Sequence, residues 1–347
     1  MMRHWRELHR AFSKRTGDAF AIHCPLGAPP AETPPAGRLL RIFENYLAYP
    51  LRTRWSGHAD VVHLLDHSYA HLMRWTTPGA CRIVTVHDLA PLEDPGSLAP
   101  GQLRRFRRTV EWLNQTDILL ADSEYTRNAL RSFLTAAPRT EVLPMGVDVA
   151  SFSRPGLASA TAMLPRCPKI LSVGSCLSRK NLALLPETLR RVGAAIGPVA
   201  LIRAGEVLPR ELRQRLEAVL APGHLVELGK VSDDTLVALY HACDALLFPS
   251  HLEGFGLPVA EAMAAGCPAV CSRASSIPEV GRDAVLYFDP SSPAEAAEAL
   301  LGVLQNRALR DTLVERGHRR ARELSWENHA ARLAEIYTGA LARRVRE

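Results

Sequence analysis

Short apolar runs rich in Val, Ile and Leu recur along the chain, each separated from the next by a longer, helix-like stretch. Strands buried on both faces read this way, and alternation with helices calls for a parallel sheet that the helices cover. The first series is Ala19–Ile22, Val61–Leu65, Arg82–Val86, Ile118–Ala121 and Glu141–Leu143. The second is Ile170–Val173, Val199–Arg203, Leu225–Leu228, Ala245–Phe248, Ala269–Cys271 and Ala284–Phe288, with helical patterns such as Leu182–Val192 and Leu212–Leu220 between them. Between the series, Pro144–Pro168 is rich in Gly, Ser and Pro and reads as a linker. The expectation is an α/β protein with two doubly wound domains, 1–150 and 169–324, joined by 151–168 and without internal repeats. In such sheets ligands sit beyond the carboxyl ends of the strands, so chemistry is sought in the loops that follow them.

Length agrees with this division, since 347 residues suffice for two separate cores. The net charge of +6 is divided evenly, +3 in residues 1–150 and +3 in the rest, so there is no basic arm or acidic tail. With 6% aromatic residues and no basic–aromatic stripe, nucleic-acid binding is disfavoured. Lysine occurs only at 14, 169, 180 and 230, and arginine carries the remaining positive charge. Clusters such as Arg104-Arg105-Phe106-Arg107-Arg108 therefore reflect composition first, and the few lysines stand out. Seven cysteines, at 24, 81, 167, 176, 243, 267 and 271, are scattered without a Cys-x-x-Cys pair, which favours reduced thiols in a cytoplasmic protein. No apolar run has the length of a membrane span and no signal pattern opens the chain. The expected protein is soluble, with room for peripheral contact with a membrane face.

Residues 3–17 place Trp5, Leu8, Ala11 and Phe12 on one face of an amphipathic helix, and a rigid Pro-rich loop follows at Pro25–Gly37. His63, His67 and His71, with Asp66 among them, have the spacing of a helical metal site. Val61–Leu65 reads as a strand, so that spacing does not hold across all three and no metal is expected. No Asp-x-Asp pair is present to clamp a metal–diphosphate.

The densest segment runs from Pro249 through Ser250, His251, Leu252, Glu253, Gly254, Phe255, Gly256, Leu257 and Pro258 to Glu261 and Gly266. It follows a strand and opens a helix, with Pro258 in the first turn where its missing N–H is not needed. Gly254 and Gly256 let the backbone approach a ligand, and the N–H groups of Phe255 to Leu257 suit an anion, most often a phosphate. Glu253 and Glu261 are carboxylates able to accept paired hydrogen bonds from vicinal hydroxyls. The plainer alternative is a tight strand–helix turn with two exposed glutamates.

This run resembles the Glu-x7-Glu signature of the retaining glycosyltransferases of family 4, whose GT-B fold has two facing Rossmann-like domains. Other segments match in order: Ile170–Gly174 followed by Arg179-Lys180-Asn181, Val231–Leu236 with Tyr240 and Asp244, Phe248-Pro249-Ser250, Val86-His87-Asp88-Leu89, and Ser325-Trp326-Glu327. The last is similar to the start of a terminal helix, here 325–347, that completes the first domain.

The resemblance implies a metal-independent hexosyltransferase that takes a nucleotide-diphosphate sugar as donor, uses no cofactor and keeps the anomeric configuration. It implies that Lys180 and Arg179 neutralise the donor diphosphate, whose departure as an anion is the hard part of the reaction. A lysine kept at 180 in an arginine-rich chain fits a need for a compact ammonium. Gly174 would turn the chain beneath the phosphates, Glu261 would hold ribose hydroxyls and Glu253 sugar hydroxyls. Lys230 and Val231 would pass the nucleobase, Gly254, Phe255, Gly256 and Leu257 would meet sugar or phosphate oxygens, and His87 would face sugar and acceptor. His67, Ser68 and Tyr69 would lie on the acceptor side.

Two departures from the pattern stand out. Many members carry an arginine directly after the glycine, where this chain has Ser175. The chain also begins inside what resembles the first helix, without the strand and Gly-rich loop that precede it in the family. A late start assignment and a natural trimming are both open, and either implies a less stable first domain with weak transfer and intact donor binding. Acceptors among hydroxyl-bearing carbohydrates, lipid-linked sugars and small glycosides remain open. So do an epimerase acting on nucleotide sugars and a non-catalytic nucleotide-sugar-binding protein.

Overall fold

Parallel strands alternate with helices throughout, as fully buried apolar runs require. The computed structural model describes residues 2–21, 49, 51–52, 58–76, 78–136, 138–156 and 161–344. The chain divides into two compact units, Met1–Gly146 with Trp326–Glu347, and Val147–Ser325.

The first unit holds β1 (Val61–Leu64), β2 (Cys81–Val86), β3 (Ile118–Ala121) and β4 (Arg139–Val142), paired in that order and all parallel. Successive residues of a strand face opposite sides, so each strand feeds two cores. Ile83, Ile118 and Leu120 meet Leu8 and Phe12 of the helix Met2–Thr16 and Leu333 and Ile336 of the helix Trp326–Arg344. Val84, Val86, Leu119 and Ala121 meet Met73, Val110, Leu113 and Leu130 on the other side. Each such leucine, taken out of water, contributes roughly 2 kcal/mol.

The expected strand Ala19–Ile22 is not one over its described part. Gly17–Ala19 is a single 3-10 turn, and the Phe20 ring packs 5.5 Å from Phe12 and 6.0 Å from Tyr337. The apolar character of that run serves packing on the terminal helix instead of a sheet. Ile22, Cys24 and the Pro25–Gly37 loop lie outside the described residues, as does the Trp5 side chain.

The second unit holds β5 (Lys169–Gly174), β6 (Ala200–Gly205), β7 (Leu225–Glu227), β8 (Ala245–Phe248), β9 (Ala269–Ser272) and β10 (Leu286–Phe288). Their spatial order is β10-β9-β8-β5-β6-β7, and every pair is parallel. The order reverses between β5 and β8, which is where doubly wound sheets open a crevice at their carboxyl ends. Strand and helix bounds differ from those expected by a few residues, as at Leu185–Ile196 and Arg210–Glu217.

The stretch read as a linker is partly built into this unit. Val149–Phe152 is a short helix, Phe152 is fully buried 5.7 Å from the Tyr240 ring, and His241 Nε2 lies 2.8 Å from the Phe152 carbonyl. The unit boundary accordingly falls at Gly146 and not at residue 150. Among the described residues no helix is long and apolar enough to cross a membrane.

Candidate active site

The loops after β5 and β8 meet at the reversal of strand order in the second unit. β5 ends at Gly174, whose φ of +123° is open to glycine and not to other residues. A 3-10 turn at Ser178–Lys180 follows, closed by Asn181 in the left-handed region with φ 51°. The Asn181 side-chain amide donates to Pro249 O at 3.1 Å and to Pro290 O at 2.7 Å. His251 N–H donates to Arg179 O at 2.8 Å, so the two loops are also joined through their backbones.

Glu253 is the centre of the cluster. It is only 7% exposed, and its carboxylate receives Lys180 Nζ at 2.5 Å on one oxygen and Arg179 Nη1 at 3.3 Å on the other. Arg179 Nη1 also donates to Leu252 O at 2.9 Å, and Lys180 Nζ lies 5.5 Å from the centre of the Phe248 ring. Two cations on one carboxylate leave this trio with a net charge of +1. The backbone of Glu253 is held in place by two serines. Glu253 N–H donates to Ser275 Oγ at 2.9 Å, and the fully buried Ser276 hydroxyl lies 2.9 Å from both Glu253 O and Phe255 O. Ser275 adopts φ 48°, a strained backbone for a non-glycine residue. Ser272 Oγ donates to Ser250 O at the start of the same loop.

The helix Leu257–Ala265 begins at Gly256, which takes φ +102° as its N-cap, and Pro258 lies in its first turn. The helix is apolar nearly all round and packs on β8 and β9. Glu261 is nonetheless one of its buried residues, 4% exposed, with the Tyr240 hydroxyl 3.1 Å from Oε2 and 3.3 Å from Pro258 O. Both glutamates are thus buried and engaged, which excludes the plain reading of two solvent-exposed side chains. A carboxylate in such a position is retained against its desolvation only with partners.

In the first unit, His87 follows β2. Its Nδ1 lies 2.7 Å from an Asp122 oxygen and its Nε2 lies 2.8 Å from Leu65 O. Both neighbours offer oxygens, an arrangement that favours a proton on each ring nitrogen. Burial alone would lower its pKa, but the charge and hydrogen bond of Asp122, with Asp66 and the Leu65 carbonyl, raise it to about 9.

The spaced histidines fall on two elements, a strand and a 3-10 segment. His63 is on β1, with Nδ1 2.6 Å from Tyr337 Oη and Nε2 2.8 Å from Thr85 Oγ1, and burial lowers its pKa to about 3. His67 is buried against the Phe106 ring at 5.6 Å. Among the described residues no three His, Cys, Asp or Glu side chains are grouped to share a metal.

Comparison with known proteins bears on this arrangement. Residues 164–320 match the model for glycosyl transferases group 1, and residues 1–151 match that for glycosyltransferase family 4. The chain is 30% identical over 335 residues to the D-inositol 3-phosphate glycosyltransferase of Salinispora arenicola, covering 84% of this chain and 71% of that one. The chain belongs to the group 1, family 4 glycosyltransferases.

Other relatives of this glycosyltransferase include O-antigen chain mannosyltransferase B of Escherichia coli, 28% identical over 74% of this chain and 69% of that one. In fold it is similar to sucrose-phosphate synthase of Thermosynechococcus elongatus, with TM-score 0.71, 22% identity, and 98% and 93% of the two chains covered. Anabaena HepE, solved with UDP and glucose, gives TM-score 0.72 at 16% identity over 85% and 82%. The glycosyltransferase therefore has the GT-B architecture.

Within it, Gly174, Arg179, Lys180, Glu253, Gly254, Phe255, Gly256, Leu257 and Glu261 are assembled in the second unit around the β5 and β8 loops. Lys230 is exposed and Val231 half-buried on the loop after β7, anchored where Gly205 N–H donates to Gly229 O at 2.8 Å. Ser68 is exposed and Tyr69 half-buried in the 3-10 segment His67–Trp75 of the first unit. Sequence reasoning missed Asn181 as a loop clamp, the Ser275–Ser276 support and Arg203. Only Arg203 had a visible signal, a charge inside an otherwise apolar strand.

Proposed function

We propose that this glycosyltransferase moves a sugar from a nucleotide-diphosphate sugar to a hydroxyl acceptor with retention at the anomeric carbon, in polysaccharide, glycolipid or glycoside synthesis. The observation that carries the reading is the convergence of Lys180 and Arg179 on Glu253 at the reversal of strand order. Departure of a nucleoside diphosphate leaves a new negative charge on the bridging oxygen, and preformed cations at that point lower the barrier. As the bond from the anomeric carbon to that oxygen breaks and the bond to the acceptor oxygen forms on the same face, the acceptor proton needs a base. The departing phosphate oxygen, stabilised by Lys180 and Arg179, becomes that base during the step. Glu253 orients sugar hydroxyls, and Glu261, fixed by Tyr240, takes the ribose diol.

The names of the mannosyltransferase and the inositol phosphate glycosyltransferase agree with sugar transfer, and HepE with UDP-glucose agrees with the donor class. The basic pair is read as doing the work of a metal ion. Six described cysteines are free, which suits a reducing cytoplasm. The helix Pro100–Glu111 exposes Arg104, Arg105, Arg107 and Arg108, a surface suited to peripheral contact with anionic membrane.

The deciding experiment incubates the purified chain with a panel of nucleotide-diphosphate sugars and hydroxyl acceptors, with the anomeric proton coupling of the product read by NMR. One donor giving a retained linkage, unaffected by EDTA, is the expected result. An inverted linkage, a chelator-sensitive rate, or release of an epimerised sugar without acceptor each overturns the reading.

A further inference from the structure

Arg203 sits near the carboxyl end of β6 and is 1% exposed, a full positive charge inside the sheet. Among the described residues it makes no ion pair. Its guanidinium donates only to backbone carbonyls and a thiol. Nη1 reaches Ser172 O and Ala204 O, each at 3.1 Å, and Nη2 reaches Gly174 O at 2.5 Å, Ser175 O at 3.0 Å and Cys176 Sγ at 3.8 Å. Its Nε is buried without a partner. A buried cation held by carbonyl dipoles alone is costly, and tying β5 to β6 does not need a charge, because the strand ladder already does so.

The geometry shows what the charge acts on. In a trans peptide the C=O and N–H point in opposite directions, and no described peptide is cis. Gly174 O points at Arg203 and at Glu206 N–H, 3.0 Å away, so Ser175 N–H points away from the guanidinium. The next N–H, that of Cys176, is taken by Glu206 Oε2 at 2.8 Å. The turn that leads to Arg179 and Lys180 therefore has its partial negative charges drawn inward onto Arg203. Gly205 fits because a Cβ there would collide with Gly174 O, so the two strand ends are pressed together at this point.

We infer that Arg203 is a positioning residue for the donor diphosphate. It turns the carbonyls of Gly174 and Ser175 inward and sets a fixed positive charge beneath the loop. This inference rests on the donor-site reading above.

Calorimetric titration of wild type, Arg203→Gln and Arg203→Lys with UDP and GDP, and with UMP and GMP, tests it. Wild type is expected to bind one diphosphate and its monophosphate. Arg203→Gln weakens the diphosphate by about tenfold, the scale of a hydrogen-bonded charge, while the monophosphate changes much less. Arg203→Lys, with charge retained and reach shortened, recovers only part of that loss. Should Arg203→Gln not fold, Arg203→Lys decides alone by a diphosphate-to-monophosphate affinity ratio that falls, whereas an unchanged ratio overturns the inference. Equal losses for both ligands, or a lysine variant no better than glutamine, make Arg203 a strand tie only. A wild type that binds neither diphosphate overturns the donor-site reading itself.

Discussion

The Lys180 ammonium lies 2.5 Å from the Glu253 carboxylate, so the cation read as serving the leaving phosphate is already held by an anion in the same loop cluster. The pair fixes both side chains, and a bound diphosphate would compete with Glu253 for Lys180. Glu253→Gln is expected to bind the nucleoside diphosphate product more tightly, by about threefold to tenfold, because one negative charge beside it is gone. On the proposed role of Glu253 as partner of the sugar hydroxyls, turnover is expected to fall all the same. Product-inhibition constants alongside kcat check both directions, and weaker product binding would count against this arrangement.

Lys180→Ala is expected to lower kcat by about 100-fold or more, the scale seen when a preorganised donor to developing charge is removed. Lys180→Arg should restore only part of it, as the longer planar group cannot take the same point contact with Glu253. Steady-state kinetics on the best donor of the panel decides, and a lysine-to-alanine loss confined to KM would place Lys180 outside the bond-breaking step.

Tyr240→Phe removes the hydroxyl that sits 3.1 Å from Glu261 Oε2 while keeping the ring packed on Phe152. The expected effect is a rise of about fivefold in donor KM, near 1 kcal/mol, with kcat little changed. Kinetics at saturating acceptor would show it. A selective fall in kcat would mean that Glu261 acts on the reacting sugar and not on the ribose.

Ser276→Ala deletes one buried hydroxyl shared by Glu253 O and Phe255 O. Two buried carbonyls are left short of a donor, so unfolding of the second unit should become easier by about 1–3 kcal/mol. Urea denaturation followed in the wild type and the variant measures this. If stability is unchanged, the loop finds other donors and Ser276 is not its anchor.

His87 gives the first unit a pH signature. Its pKa is raised from 6.5 to about 9, so its stabilisation is complete below pH 6.5 and disappears as pH rises through about 9. Burial raises the Asp122 carboxyl as well, so the net alkaline loss is smaller than the His87 shift alone would give. His63 and His329, lowered by burial to about 3 and about 4, act the other way and withdraw stability as pH falls below 6.5. Thermal melts of the first unit's transition should peak near neutrality, and His87→Gln should flatten the alkaline arm. An alkaline arm of equal slope in that variant refutes the imidazolium.

The strands were readable where a buried run is bounded on both sides. Ile118–Ala121 and Ala245–Phe248 appear with the bounds expected, because all four residues of each are buried. Glu253 and Glu261 were readable because a helix start flanked by glycines is a local pattern. Phe20 was misassigned because its partner, Tyr337, lies at the far end of the chain and a single apolar run does not name its neighbour. The Ser275–Ser276 support and the inward-turned carbonyls on Arg203 escaped for a related reason. Their partners are backbone carbonyls and amides, which every residue has. His87 was picked out from its motif, yet its charge state depends on Asp122, which meets it only through the parallel pairing of β2 and β3.

Asn181 gives the second unit a mechanical property. One side-chain amide, on a residue adjacent to Lys180, grips the chain on both sides of a 40-residue excursion between Pro249 and Pro290. The loop cluster around Lys180 is thus riveted at one point. A backbone shift at Pro290, 109 positions from Asn181 and part of no recognisable motif, would pull on the residue next to Lys180. Inherited variation in the tail of this sheet is therefore a route by which the enzyme's turnover can drift without any alteration to its signature residues.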